Sequence, residues 1–223
     1  MGGQMPVLLD SVLGRVKPGR MEDHLAMGVE VVKLFDRLGA RNPRLAMAIA
    51  SGEPAGTFTF STEYESAEAW GEVADAINAD AEFQAFIARV SSPDAPSEIL
   101  QFSTANEIPL RKNNPTLGNV VEVHVTRPLP GRFEAGLEQA ARVCELVEAH
   151  GATNARVFQM GFAGLGSGMS VLSWESENMK AQGRLADAWA SDPEMAEIAM
   201  KSRFGDQMTA TPVFDGIYQV VPI

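Results

Sequence analysis

Glu122 and His124 are the residues best suited to chemistry, because they lie two positions apart in a run rich in valine. In a β-strand, residues at this spacing share one face, with Cα atoms about 6.5–7 Å apart. A carboxylate beside an imidazole can form an acid–base pair with shifted pKa values. We therefore predict that His124 is a general base and that Glu122 is its partner.

Asp10 is a third candidate, because it matches Glu122 at the same strand position 112 residues earlier. Val12 stands where His124 does, so only the second position of this pair has an imidazole. We predict a catalytic set of His124, Glu122 and Asp10. The alternative is that all three are hydrogen-bonded structural residues, or that they lie at a solvated end of the protein.

The other residues with chemical potential favour structural roles. The three histidines fall on different elements without ligand spacing, so no metal site is predicted. We expect His24 at the surface or rim, and His150 near a helix C-terminus, where an imidazolium is stabilised by the helix dipole. Cys144 lies on an apolar helical stripe and is expected to be a buried, unreactive thiol.

The elements that position these residues occur twice at a constant shift of 112 positions. We interpret the matches as a tandem duplication whose register needs no gap, extending to Phe102 and Phe214. The matches include Pro18-Gly19-Arg20 with Pro130-Gly131-Arg132, Gly39-Ala40 with Gly151-Ala152, Glu63 with Glu175, and Ala74-Asp75-Ala76 with Ala186-Asp187-Ala188.

Each copy has the pattern β-α-β-β-α-β. Apolar residues at steps of three and four predict the first helix, which ends at a glycine. Ser66 and Asn178 are the expected N-caps of the second helix. Asp80 and Asp192 are expected to cap a further helical segment, with Pro193 at its first position.

The pattern predicts the α+β class, as two tandem ferredoxin-like βαββαβ units. A four-stranded sheet with both helices on one face leaves its other face bare, so two such sheets can close into one intrachain barrel. We place Glu122 and His124 on the less apolar strand face and expect it to line the barrel interior. The predicted ranges are 5–108 for the first unit, 109–118 for a linker and 119–223 for the second unit.

Four larger side chains are predicted to bind a substrate in the barrel cavity. They are Trp174, Tyr64, Phe158 and Met160. The alternative for these side chains is ordinary core packing. Because His124 and Trp174 occur only in the second copy, we expect the main cavity to be lined chiefly by 120–126 and 158–175.

Three motifs resemble the dimeric α+β barrel superfamily, which includes monooxygenases of antibiotic biosynthesis, NIPSNAP-like and EthD-like proteins. They are Lys17-Pro18-Gly19-Arg20 before the first helix, the run Glu-Tyr-Glu-Ser-Ala-Glu-Ala-Trp at 63–70, and Ser191-Asp192-Pro193-Glu194-Met195. Because these motifs are caps and turns, they indicate the fold more than the chemistry. The resemblance implies a cofactor-free oxygenase or isomerase, with haem as a less favoured cofactor that some branches bind.

The composition limits the chemical classes of partner that we expect. A formal net charge of −11 disfavours nucleic acid and anionic membrane surfaces. A single cysteine and the lack of a long apolar run favour a cytoplasmic protein. We expect a monomer or homodimer that binds a small apolar or aromatic molecule, either as an enzyme or as a non-catalytic binding or stress-linked domain.

Overall fold

A computed structural model describes residues 7–112, 114–203 and 205–223. Residues 5, 6, 113 and 204 of the predicted unit and linker ranges lie outside these described parts. The first unit contains β1 (Leu8–Val16), α1 (Met21–Arg37), β2 (Arg41–Ala50), β3 (Thr57–Tyr64), α2 (Ala67–Ala79), α3 (Ala81–Val90) and β4 (Ser97–Glu107). The second contains β5 (Val120–Pro128), α4 (Phe133–Ala149), β6 (Thr153–Met160), β7 (Ser170–Ser176), α5 (Met179–Ser191), α6 (Pro193–Arg203) and β8 (Ala210–Val220).

The eight strands form one closed barrel in the order β1-β3-β2-β8-β5-β7-β6-β4. Every pairing is antiparallel, and the two units are joined where β2 meets β8 and where β4 meets β6. This confirms the predicted fold class. The predicted limits between the units remain a prediction, because both units contribute strands to a single barrel.

The helices start where their capping residues stand. Ser66 and Asn178 accept hydrogen bonds from the backbone N–H groups of Ala69 and Ala181, as predicted. Asp80 caps α3 through the backbone N–H of Phe83. In the second unit Asp192 does the same for α6, and Pro193 begins that helix, where a missing N–H removes no helical bond.

The constant shift of 112 positions between the two units does not hold for the last strand of each unit. Asp80 and Asp192 differ by 112 positions, but the strand starts Ser97 and Ala210 differ by 113. The second unit therefore has one more residue before its last strand. As a result Phe102 pairs with Val12, whereas Asp215 and not Phe214 pairs with His124.

The predicted orientation of the catalytic strand face is wrong. Val121, Val123 and Val125 line the barrel interior, together with first-unit residues of β1. Glu122 and His124 point the other way, into the layer between the sheet and the helices. Alternation separates the two faces of a strand, but both faces are covered in this fold, so polarity did not show which one is inside.

Two buried ion pairs cross the barrel from one unit to the other. Arg44 makes two hydrogen bonds of 2.8 Å to Glu175, and Arg156 binds Glu63. Asn42 donates to Glu63 within the first unit, and the corresponding Asn154 donates to Glu175 within the second. Each glutamate is therefore held by an asparagine of its own unit and an arginine of the other.

These contacts keep Glu63 and Arg44 charged. Burial opposes ionisation of Glu63, but Arg156 and Asn42 outweigh it and hold the pKa of Glu63 below its usual range. Burial also opposes the charge on Arg44, but the hydrogen bonds to Glu175 raise the pKa of Arg44. The ion-pair partner of each charge lies in the other unit, so the ion pairs favour the closed barrel over separated sheets.

Removing one partner of a crossing pair should cost much stability. Arg44→Met leaves the buried carboxylate of Glu175 without its cation, and we expect the free energy of unfolding to fall by about 3–5 kcal/mol in urea titrations. Arg44→Met with Glu175→Gln should cost less than Arg44→Met alone, because no net charge is then buried.

The exposed pair between Arg41 and Glu65 supplies the control. Arg41→Ala should cost less than about 1 kcal/mol, since exposed ion pairs contribute little. The cross-barrel role is contradicted if Arg44→Met costs no more than Arg41→Ala.

Candidate functional site

A pocket of about 390 Å³ lies between the sheet and the helices of the second unit. Its wall is mostly apolar and includes Leu137 and Val143 of α4, Trp189 of α5 and Ile198 of α6. The sheet side includes Glu122, His124 and Thr126 of β5 and Ser170, Leu172 and Trp174 of β7, but not 158–169. The predicted asymmetry concerned the barrel cavity, and it is not found there, because residues of both units line that cavity.

His124 lies at the sheet side of this pocket, between two carboxylates. Its Nδ1 is 2.6 Å from Asp215 Oδ1, and its Nε2 is 3.0 Å from Glu122 Oε1. The imidazole also stacks on Trp174, with ring centroids 4.7 Å apart. An imidazole with a carboxylate on each nitrogen is held in one orientation, with both nitrogens occupied.

The same contacts decide the charge of the imidazole. Burial disfavours the charged form, but the hydrogen bonds and the charges of Asp215 and Glu122 raise the pKa of His124 to about 9. His124 is therefore protonated at neutral pH and cannot accept a proton. The predicted role of His124 as a general base is not supported by this geometry.

Glu122 is occupied on both oxygens. Oε1 faces His124, while Oε2 accepts hydrogen bonds from Trp174 Nε1 at 3.0 Å and from Gln182 Nε2 at 2.5 Å. Its side chain is only 15% exposed. Glu122 therefore serves as the anchor of the cluster, holding the imidazole and the indole in place.

Asp215 is the site residue that the sequence analysis missed. It lines the pocket and is the most exposed member of the cluster, with 48% of its side chain accessible. The gapless register aligned it with Ser103, which gave no reason to place it beside His124. The signal that could have found it is the length of the segment before the last strand, which is one residue longer in the second unit.

The structure brings together only some of the predicted residues. Trp174 joins His124 and Glu122, but Asp10 lies in the first unit and accepts a hydrogen bond from Trp70 Nε1 at 3.1 Å. Burial raises the pKa of Asp10, and this outweighs that hydrogen bond. Tyr64 packs in the first-unit core with Val73 of α2.

The barrel interior forms a second cavity, of about 680 Å³. Phe158 and Met160 face this cavity and not the helix-side pocket. Phe158 also lies beneath the guanidinium of Arg156, 5.0 Å from ring centroid to Cζ. The seven predicted site residues therefore fall into three separate places.

Of the predictions for the other two histidines and the cysteine, the one for His24 is wrong. His24 was expected at the surface, but it is buried against Phe58 with ring centroids 4.3 Å apart, and burial lowers the pKa of His24 to about 4. His150 ends α4 as predicted, and its Nε2 lies 3.1 Å from Asp192 Oδ2. Cys144 is buried, which raises the pKa of its thiol to about 12.

The pocket lacks what haem would need. An axial histidine must offer a neutral nitrogen to iron. His124 is the one histidine that lines the pocket, and it is protonated with a carboxylate on each nitrogen. The residues present do not fit haem in this arrangement. Within the described residues, no group of three or more histidine, cysteine, aspartate or glutamate side chains could hold a metal ion.

Among the helices that the structure describes, none is both long enough and apolar enough to cross a membrane.

The pKa of His124 predicts a stability difference at alkaline pH. The pKa is raised from 6.5 to about 9 on folding, so the stabilisation is fully present below 6.5 and is lost as the pH rises through 9. On the order of 3 kcal/mol should disappear over this window. His124→Val, which copies Val12, should lack this loss when urea titrations are repeated across the pH range. Parallel pH profiles for the two proteins would contradict the assignment.

No protein-family model and no curated protein sequence matches the chain. Solved structures do. A candidate monooxygenase from Fusobacterium nucleatum subsp. nucleatum superposes with a TM-score of 0.63 at 13% identity, covering 100% of this chain and 94% of that one. An anthrone oxidase-like protein superposes with a TM-score of 0.57 at 14% identity, covering 98% and 92%.

A chlorite dismutase variant from Candidatus Nitrospira defluvii gives a TM-score of 0.55 at 9% identity, covering 97% and 91%. At these identities the likeness concerns the fold. Together with the closed eight-stranded barrel and the twofold βαββαβ order, it shows that the chain has the fold of these α+β barrel proteins, with both units in one polypeptide.

Proposed function

We propose that this chain is a cofactor-independent oxygenase whose substrate is a small, largely apolar aromatic molecule bound in the second-unit pocket. The observation that carries the proposal is the accessible carboxylate of Asp215, held by the His124 imidazolium at the edge of an apolar pocket. The names of the monooxygenase and anthrone oxidase-like neighbours support the reaction class by analogy of fold alone.

The pocket suits a compact ring system. Its volume of about 390 Å³ is within the range of small-molecule sites, which are lined mainly by apolar side chains with a few polar groups. Trp189, Leu137 and Ile198 supply flat or branched apolar surface. The cluster of His124 and the two carboxylates supplies the polar end, so a substrate with one acidic position would be oriented with that position toward the cluster.

Asp215 is the proposed base. Its side chain is the most exposed of the cluster, at 48%, and it lines the pocket. Glu122 already accepts three side-chain hydrogen bonds and is only 15% exposed, so it is the poorer candidate. A catalytic carboxylate must reach its proton directly or through one water, and the exposure of Asp215 allows this.

His124 is proposed as a positioning residue. It fixes one oxygen of Asp215 through Nδ1 and is itself fixed by Glu122 and Trp174. Its positive charge also offsets the negative charge that develops on a deprotonated substrate nearby. The cluster therefore combines a base with a fixed cation, and this can lower the barrier to forming a carbanion.

The proposed reaction needs only the substrate and dioxygen. Asp215 takes a proton from an activated CH₂ group, and the carbanion passes its electron pair to O₂ to form a C–O bond. The proton returns to the peroxide, and loss of water then gives a carbonyl group. Both CH₂ hydrogens end in that water with one oxygen atom, while the other oxygen atom remains in the product.

The test uses anthrone as substrate and anthraquinone as a non-reacting ligand. Asp215→Asn should lower the rate of oxygen uptake by about 10²–10⁴-fold, the usual contribution of a positioned base. Its affinity for anthraquinone should change little, because the apolar wall is intact. Oxygen-electrode rates and fluorescence titrations measure the two effects.

Glu98→Gln is the matched control, since Glu98 is an exposed carboxylate on β4, the first-unit counterpart of β8. It should leave oxygen uptake unchanged. If Asp215→Asn oxidises anthrone at the wild-type rate, the proposed base is wrong. If the wild-type chain binds aromatic ligands tightly but turns none over, the non-catalytic binding function replaces the oxygenase.

A further inference from the structure

The first unit contains the same layer between its sheet and its helices, and two buried side chains that the second unit lacks, Phe58 and His24, lie in it. The difference can be followed position by position, because the two units share one register up to the last helix. At three corresponding positions that lie close together in the layer, the two units have different residues. They are Gly14, His24 and Phe58 in the first unit, and Thr126, Gly136 and Ser170 in the second.

In the first unit these residues fill the layer. Phe58 lies directly opposite Gly14 in the β1–β3 pairing, and its ring occupies the space of a side chain at position 14. A Cβ at Gly14 would lie 2.3 Å from Cζ of Phe58, so only glycine allows this ring position. The ring is 3% exposed and carries His24 on its face.

His24 behaves as a space-filling group. It is 5% exposed, and its Nε2 is buried with no hydrogen-bond partner among the residues that the structure describes. Leaving a buried polar atom unpaired costs free energy, typically about 1–3 kcal/mol. The contact with the Phe58 ring and the filled volume offset this cost.

In the second unit all three positions face the pocket instead. Ser170 lies opposite Thr126 in the β5–β7 pairing, and Gly136 on α4 stands where His24 stands on α1. The bulk of one phenyl ring and one imidazole is absent, while Thr126 keeps its own side chain. The space thus left is part of the pocket beside His124 and Asp215.

We infer that Thr126, Gly136 and Ser170 together determine whether a unit of this chain can hold a ligand, and that the first unit is the same pocket filled from within. The chain therefore binds one ligand of this class and not two. The inference rests on the proposed function for its biological meaning, because that function makes the second-unit pocket the ligand site.

The test exchanges the bulky residues in both directions. Thr126→Gly with Gly136→His and Ser170→Phe should close the second-unit pocket. His24→Gly with Phe58→Ser should open one in the first unit, and Gly14 is kept because a Cβ there would also lie 2.7 Å from the backbone oxygen of Glu98. Xenon is the probe, because it enters apolar cavities whatever the natural ligand is. Crystals of each protein under xenon pressure, with far-ultraviolet circular dichroism as the folding control, provide the readout.

We expect xenon in the second-unit pocket of the wild-type chain, none there in the closed variant, and an additional site beside α1 in the opened variant. Xenon persisting in the second unit of the folded closed variant, or absent from the first unit of the folded opened variant, would overturn the inference. If either variant does not fold, the single variants Gly136→His and His24→Gly are used. Gly136→His should reduce the xenon occupancy of the second-unit pocket, and His24→Gly should create a xenon site in the first unit. An unchanged second-unit occupancy, or no first-unit site, would overturn the inference.

The same proteins separate this inference from the proposed function. The closed variant should also lose anthraquinone binding, and the titrated stoichiometry of the wild-type chain should be one. If the xenon sites follow the exchange but no protein oxidises anthrone, the oxygenase proposal fails and the account of the two units stands.

Discussion

The reciprocal ion pairs between Arg44 and Glu175 and between Arg156 and Glu63 are the constraint on which the rest of the structure depends. Buried charges are stable only with partners, and here each partner lies in the other unit. The pairs bring the two sheets into one register, with β2 beside β8 and β4 beside β6. Since the barrel closes in this way, the inner faces of both sheets face each other across the barrel cavity and the helices are left outside.

Closure also explains where a ligand site can form. Both strand faces are covered, the inner one by the opposite sheet and the outer one by helices. A polar cluster such as Glu122, His124 and Asp215 is then tolerated on the outer face because its members satisfy one another. A pocket remains where the outer layer is thinly filled, beside Gly136 and Ser170. The site therefore depends on missing bulk in the helix layer as much as on the polar residues.

The two units illustrate how one fold separates stability from function. The first unit fills its layer with Phe58 and His24, even though Nε2 of that histidine is left without a partner. The second unit leaves the same layer open and carries the charged cluster in it. A carboxylate–indole hydrogen bond occurs in both, but the tryptophan comes from α2 in the first unit, as Trp70, and from β7 in the second, as Trp174. The free energy of closing the barrel can be shared by the two units, while only one of them carries the pocket.

By itself, the sequence determined the element order, the caps at Ser66 and Asn178, the doubling of the unit and the closure into a barrel, because these follow from local periodicity and from the need to cover a bare sheet face. It also identified Glu122, His124 and Trp174, because unusual residues stand out in an apolar strand. The tertiary structure alone decided which strand face is inside, since both faces are covered, one by the opposite sheet and the other by helices. It also decided that His124 is charged, because the pKa depends on Asp215, whose approach follows from a one-residue difference before β8. Such a difference barely changes a sequence pattern, but it moves every following side chain to the opposite face of its strand.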